Sequence, residues 1–107
     1  MHSYTRAESR QRGRLFRKGF RQALADNVDP AIRQQIERID QAAAERGQQE
    51  LSALHGARDG AQQTVAQAKA AVRTASREEK AAARQALRDA EQQLKRSERA
   101  VSKAEQQ

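Results

Sequence analysis

Small and aliphatic residues return at steps of three or four positions over the last three quarters of this 107-residue chain. The positions are Ile32, Ile36, Ile39, Ala43, Gly47, Leu51, Leu54, Ala61, Val65, Ala68, Val72, Ala83, Leu87, Ala90, Leu94, Val101 and Ala104. This spacing keeps one face of an α-helix apolar, whereas a half-buried strand alternates apolar and polar residues with a period of two. The sequence therefore predicts an all-α protein in which helix packs against helix.

Large apolar side chains are few for a chain of this length: six Leu, three Ile, four Val and two Phe. The twenty-two alanines favour helix locally but bury little area. Since a narrow apolar stripe gains stability only against a second stripe, we expect an elongated helical hairpin or coiled coil, with a short basic helix at its N-terminus. The large residues expected to pack between helices are Leu15, Phe16, Phe20, Leu24, Ile32, Ile36, Ile39, Leu51, Leu54, Val65, Val72, Leu87, Leu94 and Val101.

The clearest boundary in the sequence is the segment 26–30, Asp-Asn-Val-Asp-Pro. Asp29 can cap a helix, and Pro30 can occupy its first turn without losing a needed hydrogen bond. An earlier helix should therefore end near Ala25. We divide the chain into a basic amphipathic N-terminal arm, residues 1–29, and an Ala-rich helical region, residues 30–107.

The first candidate for a bend in the Ala-rich region is the segment 56–60. Glycine stands at both ends of this segment, and each glycine inside a helix costs about 1 kcal/mol relative to alanine. The apolar spacing nevertheless resumes in phase at Ala61, and glycines four apart also permit close helix approach. Both a bend and an unbroken helix remain open here.

The second candidate for a bend is the segment 74–77. Ser76 and Glu79 have the spacing of a capping box, which would begin a new helix after Thr74. A continuous helix through the segment is the alternative. A bend at either place allows a monomeric hairpin, while an unbroken helix needs a partner chain.

Positive charge is concentrated in the N-terminal arm. The net charge is +7, and residues 1–29 hold seven basic residues against three acidic ones. Wound as a helix, residues 13–24 separate Leu15, Phe16 and Phe20 from most of the arginines, while Arg12 falls among the apolar residues. The residues expected to contact nucleic-acid phosphate are Arg6, Arg10, Arg12, Arg14, Arg17, Lys18 and Arg21.

Three interpretations of the arm compete. Its basic face could bind nucleic acid non-specifically through phosphate, its apolar face could enter an anionic membrane surface, or its phenylalanines could simply close a helical bundle. The leading hypothesis is a small non-enzymatic accessory protein that binds nucleic acid through the arm, while its helical body associates with itself or another helical protein. A purely protein-binding coiled-coil scaffold is the alternative, and membrane-surface binding is the second alternative.

Signals for catalysis, metal binding and cofactors are missing from the sequence. There is no cysteine, and His2 and His55 stand far apart without an acidic partner at a useful spacing. The adjacent carboxylates Glu78 and Glu79 point about 100° apart in a helix and do not converge on one atom. We therefore expect no enzyme activity, no metal and no cofactor. With no apolar run of membrane-spanning or signal-peptide length, we expect a cytoplasmic location.

Overall fold

The computed structural model describes residues 1–27 and 29–107, and they form three helices with no strand among them. The helices are α1 (Arg6–Leu24), α2 (Pro30–Thr74) and α3 (Lys80–Glu105). The predicted all-α fold with a short basic N-terminal helix is confirmed. Tertiary contacts divide the chain into two compact units, Met1–Gln49 and Glu50–Gln107, so the division falls within α2 and not at the charge boundary near Pro30.

Helix α1 begins with a capping box. The Thr5 hydroxyl accepts a hydrogen bond from the Glu8 backbone N–H at 3.1 Å, and the Glu8 carboxylate accepts one from the Thr5 N–H at 2.8 Å. Together the two side chains satisfy backbone donors that the first helical turn leaves without partners. The Thr-x-x-Glu spacing is a sequence signal for the start of this helix. It was not among the features that predicted the N-terminal arm.

Helix α1 ends where the sequence predicts, with Ala25 as its C-cap. Asp26 adopts a left-handed conformation, φ 58°, and the next N–H, of Asn27, reaches back 2.8 Å to the carbonyl of Gln22. This is the geometry in which helices commonly terminate, usually with glycine at the left-handed position. The Asp29 carboxylate then accepts from the Ala31 N–H at 2.9 Å, in agreement with its predicted capping role. Val28 of the predicted boundary lies outside the described residues.

Helix α2 passes through Gly56 and Gly60 without interruption, and the chain leaves the helical conformation only after Thr74. The Thr74 hydroxyl donates back to the Ala70 carbonyl at 3.2 Å, a side-chain hydrogen bond within the last turn of the helix. The break before α3 covers residues 75–79, at the second candidate bend. The suggested Ser76–Glu79 capping box is not formed, because α3 begins at Lys80 without a side-chain cap.

In the Met1–Gln49 unit, α1 packs on the first half of α2. Ile32, Ile39 and Ala43 are buried, and Leu15 and Ile36 are half-buried, as helix packing requires. Three of the predicted packing residues are instead exposed: Phe16, Phe20 and Leu24, at 49%, 67% and 74%. They are therefore not covered by the packing of α1 on α2, because α1 turns another side toward α2.

In the Glu50–Gln107 unit, α3 runs antiparallel to the second half of α2. The buried residues are Ala61, Val65, Ala90, Ser97, Val101 and Ala104. The predicted packing residues Leu51, Leu54, Val72, Leu87 and Leu94 are half-buried. His55 Nε2 lies 3.2 Å from a Glu105 carboxylate oxygen, which joins the two far ends of this hairpin. Among the described residues, no helix is long and apolar enough to cross a membrane.

Candidate functional site

Helix α1 carries the predicted phosphate contacts, and polar contacts to α2 fix its rotation. Arg12 donates to both carboxylate oxygens of Asp40, from Nε at 2.6 Å and from Nη2 at 3.2 Å, and the Tyr4 hydroxyl donates to the same carboxylate at 2.8 Å. The Arg12 guanidinium also lies over the Phe16 ring, 4.5 Å from its centroid. Arg12 holds the pKa of Asp40 below its usual value, and Asp40 in turn raises the pKa of Tyr4.

A second set of contacts anchors the start of α1. Arg46 Nη1 donates to the Glu8 carboxylate at 2.7 Å and also to the backbone carbonyl of Ser3. The Arg46 guanidinium lowers the pKa of Glu8 to about 2, with a further contribution from the Thr5 N–H. The Ser3 N–H reaches the Ala43 carbonyl at 2.9 Å, which lays the N-terminal segment along α2.

Gly47 provides the space for this segment. The backbone of Met1 occupies the position where a Cβ at residue 47 would stand, so only glycine permits the close approach. Glu8 and Arg12 lie on one side of α1, and their contacts, with that of Tyr4 just before the helix, hold that side against α2.

The structure separates Arg12 from the other predicted phosphate contacts. Its guanidinium is committed to Asp40 and is only about a third exposed, so the assignment of Arg12 as a phosphate-binding residue is corrected: it attaches α1 to α2. The remaining predicted residues are exposed and make no ion pair among the described residues: Arg6, Arg10, Arg14, Arg17, Lys18 and Arg21. We call these six residues the basic face.

The basic face is narrow and faces away from α2. At about 100° per residue its six side chains fall within an arc of about 120°. Glu8, which is the only acidic residue of α1, lies outside this arc and is bound to Arg46. The basic face therefore carries six positive charges, and no acidic residue of α1 lies among them to offset their charge.

An apolar groove lies between α1 and the start of α2. Its volume is about 530 Å³, and Leu15, Phe16, Phe20, Ile32 and Ile36 form most of its apolar wall. A second concavity, of about 620 Å³, lies against the same two phenylalanine rings and is lined otherwise by Arg17 and Arg21. Phe16 and Phe20 thus form an exposed aromatic ridge that borders both spaces.

The histidines take no part in the basic face or the groove. His2 stacks on Tyr4 with ring centroids 5.9 Å apart, and His55 faces Glu105 in the other unit. In the part of the chain that the structure describes, no three His, Cys, Asp or Glu side chains are grouped to hold a metal ion. The geometry thus offers two features for function, the basic face and the apolar groove.

Polar anchors set which side of α1 is exposed, and that exposure defines both the charged surface and the groove. Comparison of the chain with protein-family models, with curated proteins and with solved structures finds no match.

Proposed function

We propose that this protein is a non-enzymatic nucleic-acid-binding protein that contacts the phosphate backbone through the basic face of α1. The observation that carries the proposal is the separation of roles on that helix. Its anchoring side chains face α2, while six basic side chains share the opposite, exposed arc. Lys and Arg that replace condensed counterions on phosphate are the main source of non-specific binding to nucleic acid.

The basic face works against helix stability when nothing is bound. Several of its members stand four residues apart, including Arg10 with Arg14 and Arg17 with Arg21. Such like-charge pairs destabilise a helix by roughly 0.2–0.5 kcal/mol each. A polyanion bound along the arc would offset this repulsion, because each basic side chain would then lie near negative charge. Binding of a polyanion therefore accounts for the spacing of the basic residues better than exposure to solvent does.

The dimensions of the basic face suit a segment of duplex backbone. From Arg6 to Arg21 the helix axis rises about 22 Å at 1.5 Å per residue. This corresponds to roughly six base-pair steps at 3.4 Å each. No aromatic side chain lies within the arc to stack on bases, so the proposal is for binding that depends on phosphate and not on base sequence.

The test is a salt series of binding measurements with fluorescently labelled DNA and RNA duplexes. Six phosphate contacts predict a slope of log K against log salt of about −5 for DNA between about 50 and 200 mM KCl. A variant with Arg10, Arg14, Arg17 and Arg21 all changed to Gln should bind much more weakly. Its slope should be shallower by about 3 to 4, because each lost phosphate contact removes about 0.9.

The matched control removes the same number of charges from the other compact unit. Its substitutions are Arg73→Gln, Arg77→Gln, Arg84→Gln and Arg99→Gln, all at exposed positions. Both variants have the same net charge, so a simple effect of total charge would weaken them equally. Equal weakening, or binding that does not depend on salt, would rule out the basic face as the binding surface.

A further inference from the structure

The apolar groove beside α1 is bordered by aromatic side chains that remain exposed. Phe20 is 67% exposed and Phe16 is 49% exposed, although both are large aromatic residues on the edge of a helix pair. Across the groove, Ile36 of α2 is only half-buried. Two helices alone cannot cover these side chains, whereas a third helix laid in the groove would cover both walls.

The rim of the groove carries positive charge that its own unit does not neutralise. Arg17 and Arg21 alternate with Phe16 and Phe20 and line the concavity on the outer side of the two rings. Neither arginine has an ion-pair partner among the described residues. A surface in which guanidinium groups alternate with aromatic rings suits an occupant that is both apolar and acidic.

The opposite rim, on α2, adds little charge of its own. Arg33 and Glu37 form an exposed pair there at 3.4 Å, so their charges offset each other. Asp40, at the end of the groove, is bound to Arg12. Asp29 also lines the groove and carries one negative charge. The positive charge beside the groove therefore comes from Arg17 and Arg21, on the outer side of the two phenylalanine rings.

A second copy of this chain does not supply a matching helix. By count, α1 holds seven basic and one acidic residue, α2 six and five, and α3 seven and four. All three helices are thus net positive, α2 by a single charge, so none of them offers the excess of carboxylates that would complement Arg17 and Arg21. Like charges placed together across an interface disfavour that partner.

We propose that the groove between α1 and the start of α2 receives an acidic amphipathic helix from a partner protein. The apolar face of that helix packs on Phe16, Phe20 and Ile36, and its flanking carboxylates pair with Arg17 and Arg21. This is the helix-in-groove mode, in which apolar anchors at helical spacing provide affinity and flanking charge provides selection. The proposal does not depend on nucleic-acid binding, because apolar contact with the phenylalanine rings is its main source of affinity.

The probes are three labelled synthetic helical peptides of equal length. The first has Leu at helical spacing with Glu on both flanks, the second has the same Leu pattern with Lys in place of Glu, and the third keeps Glu but has Ser in place of Leu. Anisotropy titrations with the full chain should show the tightest binding for the first peptide, weaker binding for the second, which lacks the carboxylates, and the weakest for the third, which lacks the apolar anchors. Binding of the Leu-Lys peptide as tight as that of the Leu-Glu peptide would overturn the proposed charge selection.

A pair of variants tests the location. Phe20→Ala should weaken binding of the Leu-Glu peptide about tenfold, as loss of a central aromatic anchor commonly does. Leu24→Ala is the matched control, since Leu24 is exposed to a similar degree one turn away but does not line the groove. Circular dichroism should show both variants as helical as the wild type, because neither side chain is buried.

Other occupants would give different results. A dimer of the chain that Phe20→Ala dissociates would make the groove a self-association surface and overturn the proposal. Phosphatidylserine vesicles that bind the chain through Phe20, with no binding of the Leu-Glu peptide, would replace the partner helix with a membrane surface. Failure of the Leu-Glu peptide to bind, or equal effects of the two variants, would also contradict it.

Discussion

At the scale of single residues, the contacts that orient α1 were only partly predictable. Arg12 falls among apolar residues on a helical projection, which is an anomaly that a buried or paired guanidinium explains. Its partner, Asp40, is 28 positions away. The sequence contains no signal for this pairing, because the rotation of one helix against another decides which charges meet.

The Glu8–Arg46 ion pair makes the stability of the Met1–Gln49 unit depend on pH in the acidic range. The pKa of Glu8 is lowered from 4.5 to about 2, so the carboxylate binds its proton more readily in the unfolded chain. The stabilisation is complete above about pH 4.5 and is lost as the pH falls toward 2. We expect the midpoint of urea unfolding, followed by Tyr4 fluorescence, to fall across this range.

Tyr4 is a suitable reporter because it is the only tyrosine and the chain has no tryptophan. A Glu8→Gln variant should be less stable at neutral pH and should lose part of the acid dependence; Asp40, whose pKa is also lowered, accounts for the remainder. Glu37→Gln removes a carboxylate from an exposed pair and should leave the response as in the wild type. An identical acid response in all three proteins would disprove the role of Glu8.

At the scale of helices, the boundary marked by a capping residue and a proline was predicted outright, whereas the break after Thr74 was one of two candidates that the sequence left open. Asp29 and Pro30 mark the start of α2 in the sequence and in the structure. Gly56 and Gly60 suggested a bend, but strong helix formers on both sides keep α2 continuous. The break after Thr74 arises without the suggested capping box, so the position of that turn depends on the packing of α3 as well as on local signals.

The glycines of α2 should respond differently to alanine. Nothing lies within 4 Å of a Cβ built at Gly56 or Gly60, whereas at Gly47 the backbone of Met1 stands in its place. Gly56→Ala and Gly60→Ala should each stabilise the protein by about 0.5–1 kcal/mol, because alanine loses less conformational freedom in a helix. Gly47→Ala should instead displace the N-terminal segment and alter Tyr4 fluorescence. Thermal unfolding by circular dichroism, with a fluorescence spectrum of each variant, makes the comparison.

The result is informative in either direction. Equal stabilisation by all three substitutions, with unchanged fluorescence, would show that the contact between Met1 and Gly47 does not form in solution. Destabilisation by Gly56→Ala would show that α2 bends at that position after all.

At the scale of the whole molecule, helical periodicity predicted the fold class but not the assignment of every apolar residue. Spacing identifies an apolar face without identifying what covers it. In the Ala-rich region the predicted packing residues are buried or half-buried, while Phe16, Phe20 and Leu24 of α1 are exposed. The difference has a physical cause. The ion pairs of Arg12 and Glu8 with α2 fix the rotation of α1, and at that rotation Phe16 and Phe20 remain exposed.

The two compact units should respond separately to substitutions in their own cores. Ile39 is buried in the first unit and Val101 in the second. Ile39→Ala should cost about 2 kcal/mol and lower the urea midpoint reported by Tyr4. Val101→Ala should cost about 1.5 kcal/mol and lower mainly the midpoint reported by circular dichroism at 222 nm. A single shared transition, shifted equally for both probes by either substitution, would show that the units unfold as one.

The small size of the buried residues affects how such a chain changes over generations. Ten described residues are buried, and six of them are Ala, Gly or Ser. Such an interior requires a small side chain at a few buried positions. It does not require a side chain of particular shape at the other positions. Packing therefore places few constraints on exposed positions outside the basic face and the groove, and chains descended from one ancestor could keep the helical architecture after their sequences ceased to resemble one another.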